Sequence, residues 1–256
     1  MNISFFKYQG TGNDFVMIDD RENSFDHQDL ELISRLCDRK FGIGADGVIL
    51  IRNHTDYDFE MVYFNADGSQ SMCGNGARCA VAFAKFLGIV EQETRFLAID
   101  GPHEAKIDQS LVELRMGNVP DTERVEEDLF IDTGSPHHLR KVNEVKTYPI
   151  VMEGKKVRHS ERYPLGTNVN FVELLGENEL FVRTFERGVE DETLSCGTGV
   201  TAAALGFGTK NQNQTVKINT LGGNLAVRYA WDAERGFEDI WLIGPAEQVF
   251  AGNIEI

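Results

Sequence analysis

Basic residues are in short supply: 25 lysines and arginines stand against 41 aspartates and glutamates, a formal net charge of −16. Such a chain repels a phosphate backbone, which excludes nucleic acid as a partner and leaves the acidity as a solvated exterior. Cysteine is sparse as well. Cys37, Cys73, Cys79 and Cys196 are too few in 256 residues for a disulfide framework. No pair of them forms a CxxC, so no metal site is expected. Long apolar runs are missing: no stretch of about 18 apolar residues occurs, which excludes a membrane-spanning helix. The opening MNISFFKYQGTGNDF has no basic region followed by an apolar run and a cleavage site, so the expected location is the cytoplasm.

What remains is an ordinary globular mixture, with 41% hydrophobic, 10% aromatic and 26% charged residues. The length suits one large domain or two smaller ones. Strand-like runs separated by turn signals dominate: ISFFKYQG, DGVILIR, FEMVYFNADG, RFLAIDG, HEAKID and LVELRMG, then LFIDTGSP, TYPIVM, NVNFVEL and ELFVRTFERG. From about Asp29 to Asp38, Leu30, Ile33 and Leu36 fall on one face, which predicts an amphipathic helix. A second helix is expected just after Cys73, running to a cap at Gly88, and its nearly all-round apolarity predicts an enclosed position. A third follows Cys196 in SCGTGVTAAALGFG, and strands return in VKINTLGGNLAVRYAW and EDIWLIGPAEQVFAG.

The two cysteine-led helices repeat one another. Cys73-Gly74-Asn75-Gly76-Ala77 and Cys196-Gly197-Thr198-Gly199-Val200 both read C-G-x-G before an alanine-rich helix. Duplication of one unit explains this, with a boundary in GNVPD that gives domains 1–117 and 118–256. The tail from about 244 to 256 is a candidate to return to the first domain.

A thiol at the start of such a helix sits beside unpaired backbone N–H groups and the positive end of the helix dipole. Both favour an anion, whether a thiolate, whose reference pKa of about 8.5 falls at helix N-termini, or a substrate carboxylate. The glycines let a ligand approach the backbone closely. Two such thiols suit two-base chemistry, in which one removes a proton from carbon and the other delivers one to the opposite face. Preorganised N–H donors would stabilise the carbanion-like transition state. No lysine stands in an evident pyridoxal-binding motif, and no cofactor is expected. Alternatives stay open at this level: a proline-type racemase sharing the two-cysteine idea, or a thiol-redox or ligand-binding protein. Cys37 and Cys79, on apolar helix faces, read as small hydrophobes.

Together, GTGNDF (10–15), FNADGSQSMCGNGARC (64–79), GSPHH (134–138), GTNVNF (166–171) and ERGVEDETLSCGTG (186–199) resemble the diaminopimelate epimerase family. The resemblance implies an α/β (α+β) fold of two pseudo-symmetric domains, each a mixed, mostly antiparallel sheet wrapped around a central helix. It implies a pyridoxal-independent interconversion of LL- and meso-2,6-diaminoheptanedioate, and commonly a homodimer. Carried over by position, Cys73 and Cys196 are the acid/base pair, with His137 and Glu186 assisting. Asn13, Asn65 and Asn168 would hold the non-reacting end of the substrate, and Glu186 and Arg187 its amino group and a carboxylate. Gly74, Asn75, Gly197 and Thr198 would form the anion-binding turns. Three departures stand out: Ser135 replaces a common asparagine, the 65–73 loop is one residue shorter than the usual family spacing, and the 186–196 segment is one residue longer than the common form.

Overall fold

A computed structural model describes residues 2–255. The chain divides into two compact units, Met1–Leu114 with Gly244–Ile256, and Arg115–Ile243.

In the first unit, β1 (Asn2–Gly10) and β2 (Asn13–Asp19) form an antiparallel hairpin. Its two-residue turn, Thr11 and Gly12, takes positive φ at both positions (50° and 94°), as the right-handed twist of a hairpin requires. Helix α1 (Leu30–Cys37) then carries the chain to β3 (Gly47–Arg52), parallel to β2. Asp29 caps it by accepting from Leu32 N at 2.9 Å. Its buried stripe of Leu32, Ile33, Leu36 and Cys37 makes it the expected amphipathic helix, although Leu30, placed on that face by the sequence, is exposed. Strand β4 (Phe59–Asn65) pairs antiparallel with β3. Helix α2 (Gly74–Phe86) crosses to β5 (Glu93–Ala98), parallel to β4, and β6 (Gly101–Asp108) and β7 (Leu111–Arg115) complete an antiparallel meander.

Strand β3 is apolar up to its last residue, Arg52, because both its faces are covered. Val48 and Leu50 join Ile33 and Leu36 of α1 in one cluster, while Ile49 lies under Gly76 of α2. Helix α2 buries Ala77, Cys79, Ala80, Val81, Phe83 and Ala84. A side chain such as Phe83 contributes about 1.5–3 kcal/mol by leaving water. Gly88, at φ 74°, ends the helix as expected.

The second unit repeats the plan. Strands β8 (Glu123–Val125), β9 (Asp128–Asp132) and β10 (Pro136–Lys141) are antiparallel neighbours. Helix α3 (Ile150–Arg158) leads to β11 (Asn168–Gly176), parallel to β10, and β12 (Glu179–Glu186) runs antiparallel to β11. After the short β13 (Asp191–Thr193), α4 (Gly197–Phe207) crosses to β14 (Gln214–Thr220), parallel to β12. Antiparallel β15 (Gly223–Asp232) and β16 (Gly236–Pro245) follow. Val200, Ala202, Ala203, Ala204 and Leu205 of α4 sit in a core with Leu139, Val172, Val182, Val216 and Val227. The last strand, β17 (Glu247–Glu255), pairs antiparallel with β1. The fold is thus α/β with mixed, mostly antiparallel pairing and one buried helix, α2 or α4, at the centre of each unit.

One expected element is of the wrong type: TYPIVM, read as strand-like, leads into α3. Pro149 directly precedes the first helical residue, and Ile150, Gly154 and Val157 turn inward at helical spacing. Gly154 lies so close to Phe185 that a Cβ there would meet the phenylalanine's Cβ at 2.4 Å and the first ring carbon at 2.6 Å. Close helix-to-strand packing, which short apolar runs do not announce, decides the element. Among the described residues no helix is long and apolar enough to cross a membrane.

Candidate active site

Both C-G-x-G segments are helix N-termini, and in each the cysteine is the N-cap residue in extended conformation, at φ −130° for Cys73 and −118° for Cys196. The Cys73 Sγ accepts from Gly76 N at 3.5 Å, turning toward the first-turn N–H groups. Cys196 is 8% exposed, and its Sγ lies 3.6 Å from Thr198 Oγ1. By contrast, burial pushes the Cys79 thiol up to about 12 and the Cys37 thiol up to about 11. Those two remain protonated packing residues, as expected from their apolar helix faces.

In the first unit, Asn75 lies in the first turn of α2 and donates through Nδ2 to Asn13 Oδ1 at the hairpin turn. Asn13 Nδ2 in turn donates to Asp46 Oδ2 at 2.9 Å. Behind Asn75 is Arg78, fully buried, whose Nη2 donates to Asn75 Oδ1 and to Thr11 Oγ1, each at 2.9 Å. Asn65 ends β4 and organises its own loop. It accepts from Tyr63 Oη at 2.8 Å and donates to Ser69 Oγ at 3.0 Å and Ser71 Oγ at 3.2 Å. The structure therefore joins Cys73, Gly74, Asn75 and Asn13 tightly, and binds Asn65 into the shortened 65–73 loop.

In the second unit the site is built on the ends of three adjacent strands and the start of α4. His137 of β10 stands opposite Asn168 of β11, and Asn170 stands opposite Thr184 of β12. Asn168 accepts from the backbone N of Arg187 at 2.9 Å and donates to Pro136 O at 3.3 Å, which fixes the corner after β12. Glu186 accepts from Thr193 Oγ1 at 2.9 Å. Its burial pushes the carboxyl above the usual range, with the threonine bond opposing. His137 is completely buried, and burial first, then the Arg187 charge, lower its pKa to about 3. Thr133 Oγ1 donates to Thr198 O at 3.0 Å, and Thr201 Oγ1 to Gly197 O at 2.9 Å, holding the α4 turn. Gly199 is obligatory here, since a Cβ would come 2.4 Å from Asn170 Oδ1 and 3.3 Å from Cys196 Sγ.

Three supporting residues escaped the sequence reading: Arg78, Asp46 and Asn170. Arg78 and Asn170 lie inside quoted motifs, and a charged or amide residue at an otherwise apolar position is the signal that marks them.

A model of the diaminopimelate epimerase family matches residues 5–120 and 129–248. A diaminopimelate epimerase from Flavobacterium psychrophilum is 48% identical over 257 residues, covering 98% of this chain and 100% of that protein. The chain belongs to the diaminopimelate epimerase family. It is an isomerase, an epimerase by class. The diaminopimelate epimerase of Aquifex aeolicus is 37% identical, with 98% of each chain covered. Among solved structures, a PhzF-family phenazine biosynthesis protein from Bacillus anthracis superposes with a TM-score of 0.78 over 100% of both chains at 14% identity. A hydroxyproline epimerase from Agrobacterium vitis gives 0.69 over 99% of this chain and 92% of that one, also at 14% identity. At such identities these last two speak for the fold that the epimerase family shares with other families.

Proposed function

We propose that this chain interconverts LL- and meso-2,6-diaminoheptanedioate by a two-base mechanism in which Cys73 and Cys196 act on opposite faces of one α-carbon. The supporting observation is the matched pair of cysteine-capped, glycine-bearing helix starts. Each sets a cysteine at the N-cap of a helix whose first-turn N–H groups suit a thiolate or a carboxylate. One cysteine as thiolate takes the α-proton, and the other as thiol delivers a proton from the far side. In the reverse direction the roles exchange.

The first turns of α2 and α4, through Gly74, Asn75, Gly197 and Thr198, bind the α-carboxylate and stabilise the negative charge that develops beside it. Glu186 and Arg187 engage the amino and carboxylate groups, and Asn13, Asn65 and Asn168 hold the distal end that tells diaminopimelate from smaller amino acids. His137 assists at the reacting centre. The enzyme works without pyridoxal, as a homodimer in the cytoplasm, and supplies lysine and peptidoglycan precursors.

The test is incubation of the reduced protein with LL-diaminopimelate in heavy water without pyridoxal phosphate. Meso product carrying solvent deuterium at the α-carbon is expected. Absence of both product and exchange from folded, reduced protein would overturn the assignment and direct attention to proline-type substrates.

A further inference from the structure

His137 has two ring nitrogens in very different surroundings. Nδ1 lies 3.0 Å from the amide Nδ2 of Asn170, whereas Nε2 is buried with no hydrogen-bond partner among the described residues. The orientation of the Asn170 amide is set by its other neighbours. Its Nδ2 also meets His138 O at 3.4 Å, a carbonyl that only accepts, and its Oδ1 receives Thr184 Oγ1 at 2.9 Å. Reversing the amide would set Oδ1 against that carbonyl. The amide nitrogen therefore faces His137, Nδ1 must be the accepting nitrogen, and the proton of the neutral ring sits on Nε2.

We propose that Asn170 is a positioning residue that locks His137 in the Nε2–H tautomer, so that His137 meets the substrate as a neutral hydrogen-bond donor and not as a base. A base at Nε2 would need the proton on Nδ1, where it would confront the Asn170 N–H, donor against donor. An imidazolium would meet the same clash and, in addition, the nearby Arg187 charge in a fully buried setting, consistent with a pKa lowered to about 3. A buried donor without a partner is unfavourable, and an arriving acceptor relieves that cost. The matching acceptor is a carboxylate oxygen of the substrate, whose charge grows as the carbanion forms. Gly199 borders Asn170 directly and lies beside Cys196, so the lock lies against the α4 turn.

The proposal rests on the epimerase reading for its substrate, but its first measurement does not. In protein labelled with nitrogen-15 histidine, the resonance lost in His137→Gln should show a pyrrole-like Nε2 and a pyridine-like Nδ1, unchanged from about pH 5 to 9. Protonation at both nitrogens, or at Nδ1 alone, would overturn the lock. Adding diaminopimelate should shift the Nε2 proton and leave Nδ1 pyridine-like; a silent Nε2 proton during turnover would overturn the donor role. Asn170→Asp, nearly isosteric but an acceptor, should move the proton to Nδ1 and lower kcat by roughly 10²-fold. A switched tautomer with kcat kept within about threefold of wild type would also overturn the donor role. Wild-type protein that shows the expected tautomer but no turnover would instead sink the epimerase reading alone.

Discussion

The guanidinium of Arg78 donates to Asn75 Oδ1 at 2.9 Å across one turn of α2, and both side chains are buried. Because that oxygen is held inward, the Asn75 Nδ2 is directed to Asn13, and Asn13 Nδ2 to Asp46. One buried cation thus orients two amides beside Cys73. Arg78→Lys keeps the charge but loses the planar fork that reaches Thr11 and Asn75 together. It should destabilise the protein by about 1–3 kcal/mol in urea denaturation, and a change below about 0.5 kcal/mol would show that the fork is dispensable.

Cys73→Ser and Cys196→Ser should each lower kcat for epimerisation by roughly 10²- to 10⁴-fold while circular dichroism stays unchanged. A serine hydroxyl occupies the same N-cap position, so the loss would reflect proton chemistry and not the cap. Near wild-type rates in either variant would refute the two-base assignment.

Gly199→Ala and Gly117→Ala form a contrasting pair. At Gly199 the new methyl would strike Asn170 Oδ1 at 2.4 Å and press on Cys196, whereas at Gly117 nothing lies within 4 Å. The first should cost about 1–3 kcal/mol of stability and most of the activity. The second should stay within about 0.5 kcal/mol. Thermal denaturation with parallel rate assays separates the two.

Arg187 has its backbone fixed by Asn168, and its charge reaches His137. Arg187→Ala should raise KM for diaminopimelate by at least about 10-fold, since a charge-assisted bond to a carboxylate contributes about 1.5–3 kcal/mol. An unchanged KM would remove the carboxylate clamp from the mechanism.

Asp14 sets part of the acid response. Burial alone would raise its carboxyl, but hydrogen bonds and charges from Arg39 and Lys7 prevail and bring it down to about 2. Its folded pKa lies below the unfolded value, so the stability it contributes is present above about pH 4 and is lost as pH falls toward about 2. Arg39→Met, which removes a partner at 2.7 Å, should lower stability by about 1 kcal/mol near pH 7, since Arg39 is largely exposed. That deficit should shrink markedly as pH falls through about 2. Urea denaturation at the two pH values reads it, and a deficit independent of pH would place the effect elsewhere.

The amino-acid sequence by itself determined the periodic elements and the repeated chemistry. The stripe of α1, the enclosed apolarity of α2 and α4 and the Gly88 stop are local patterns, and so is the doubled C-G-x-G that marks both cysteines. It did not determine α3, because IVMEGKKVR becomes a helix through Gly154 packing on Phe185, a contact between residues 31 positions apart in the chain. Nor could it choose the partners of Arg78, Asp46 and Asn170. Their roles depend on hydrogen bonds from β-hairpin to helix and from strand to strand. Only the tertiary structure decided which face of an amide meets a histidine, because that choice is made by a backbone carbonyl and a threonine on other parts of the sheet.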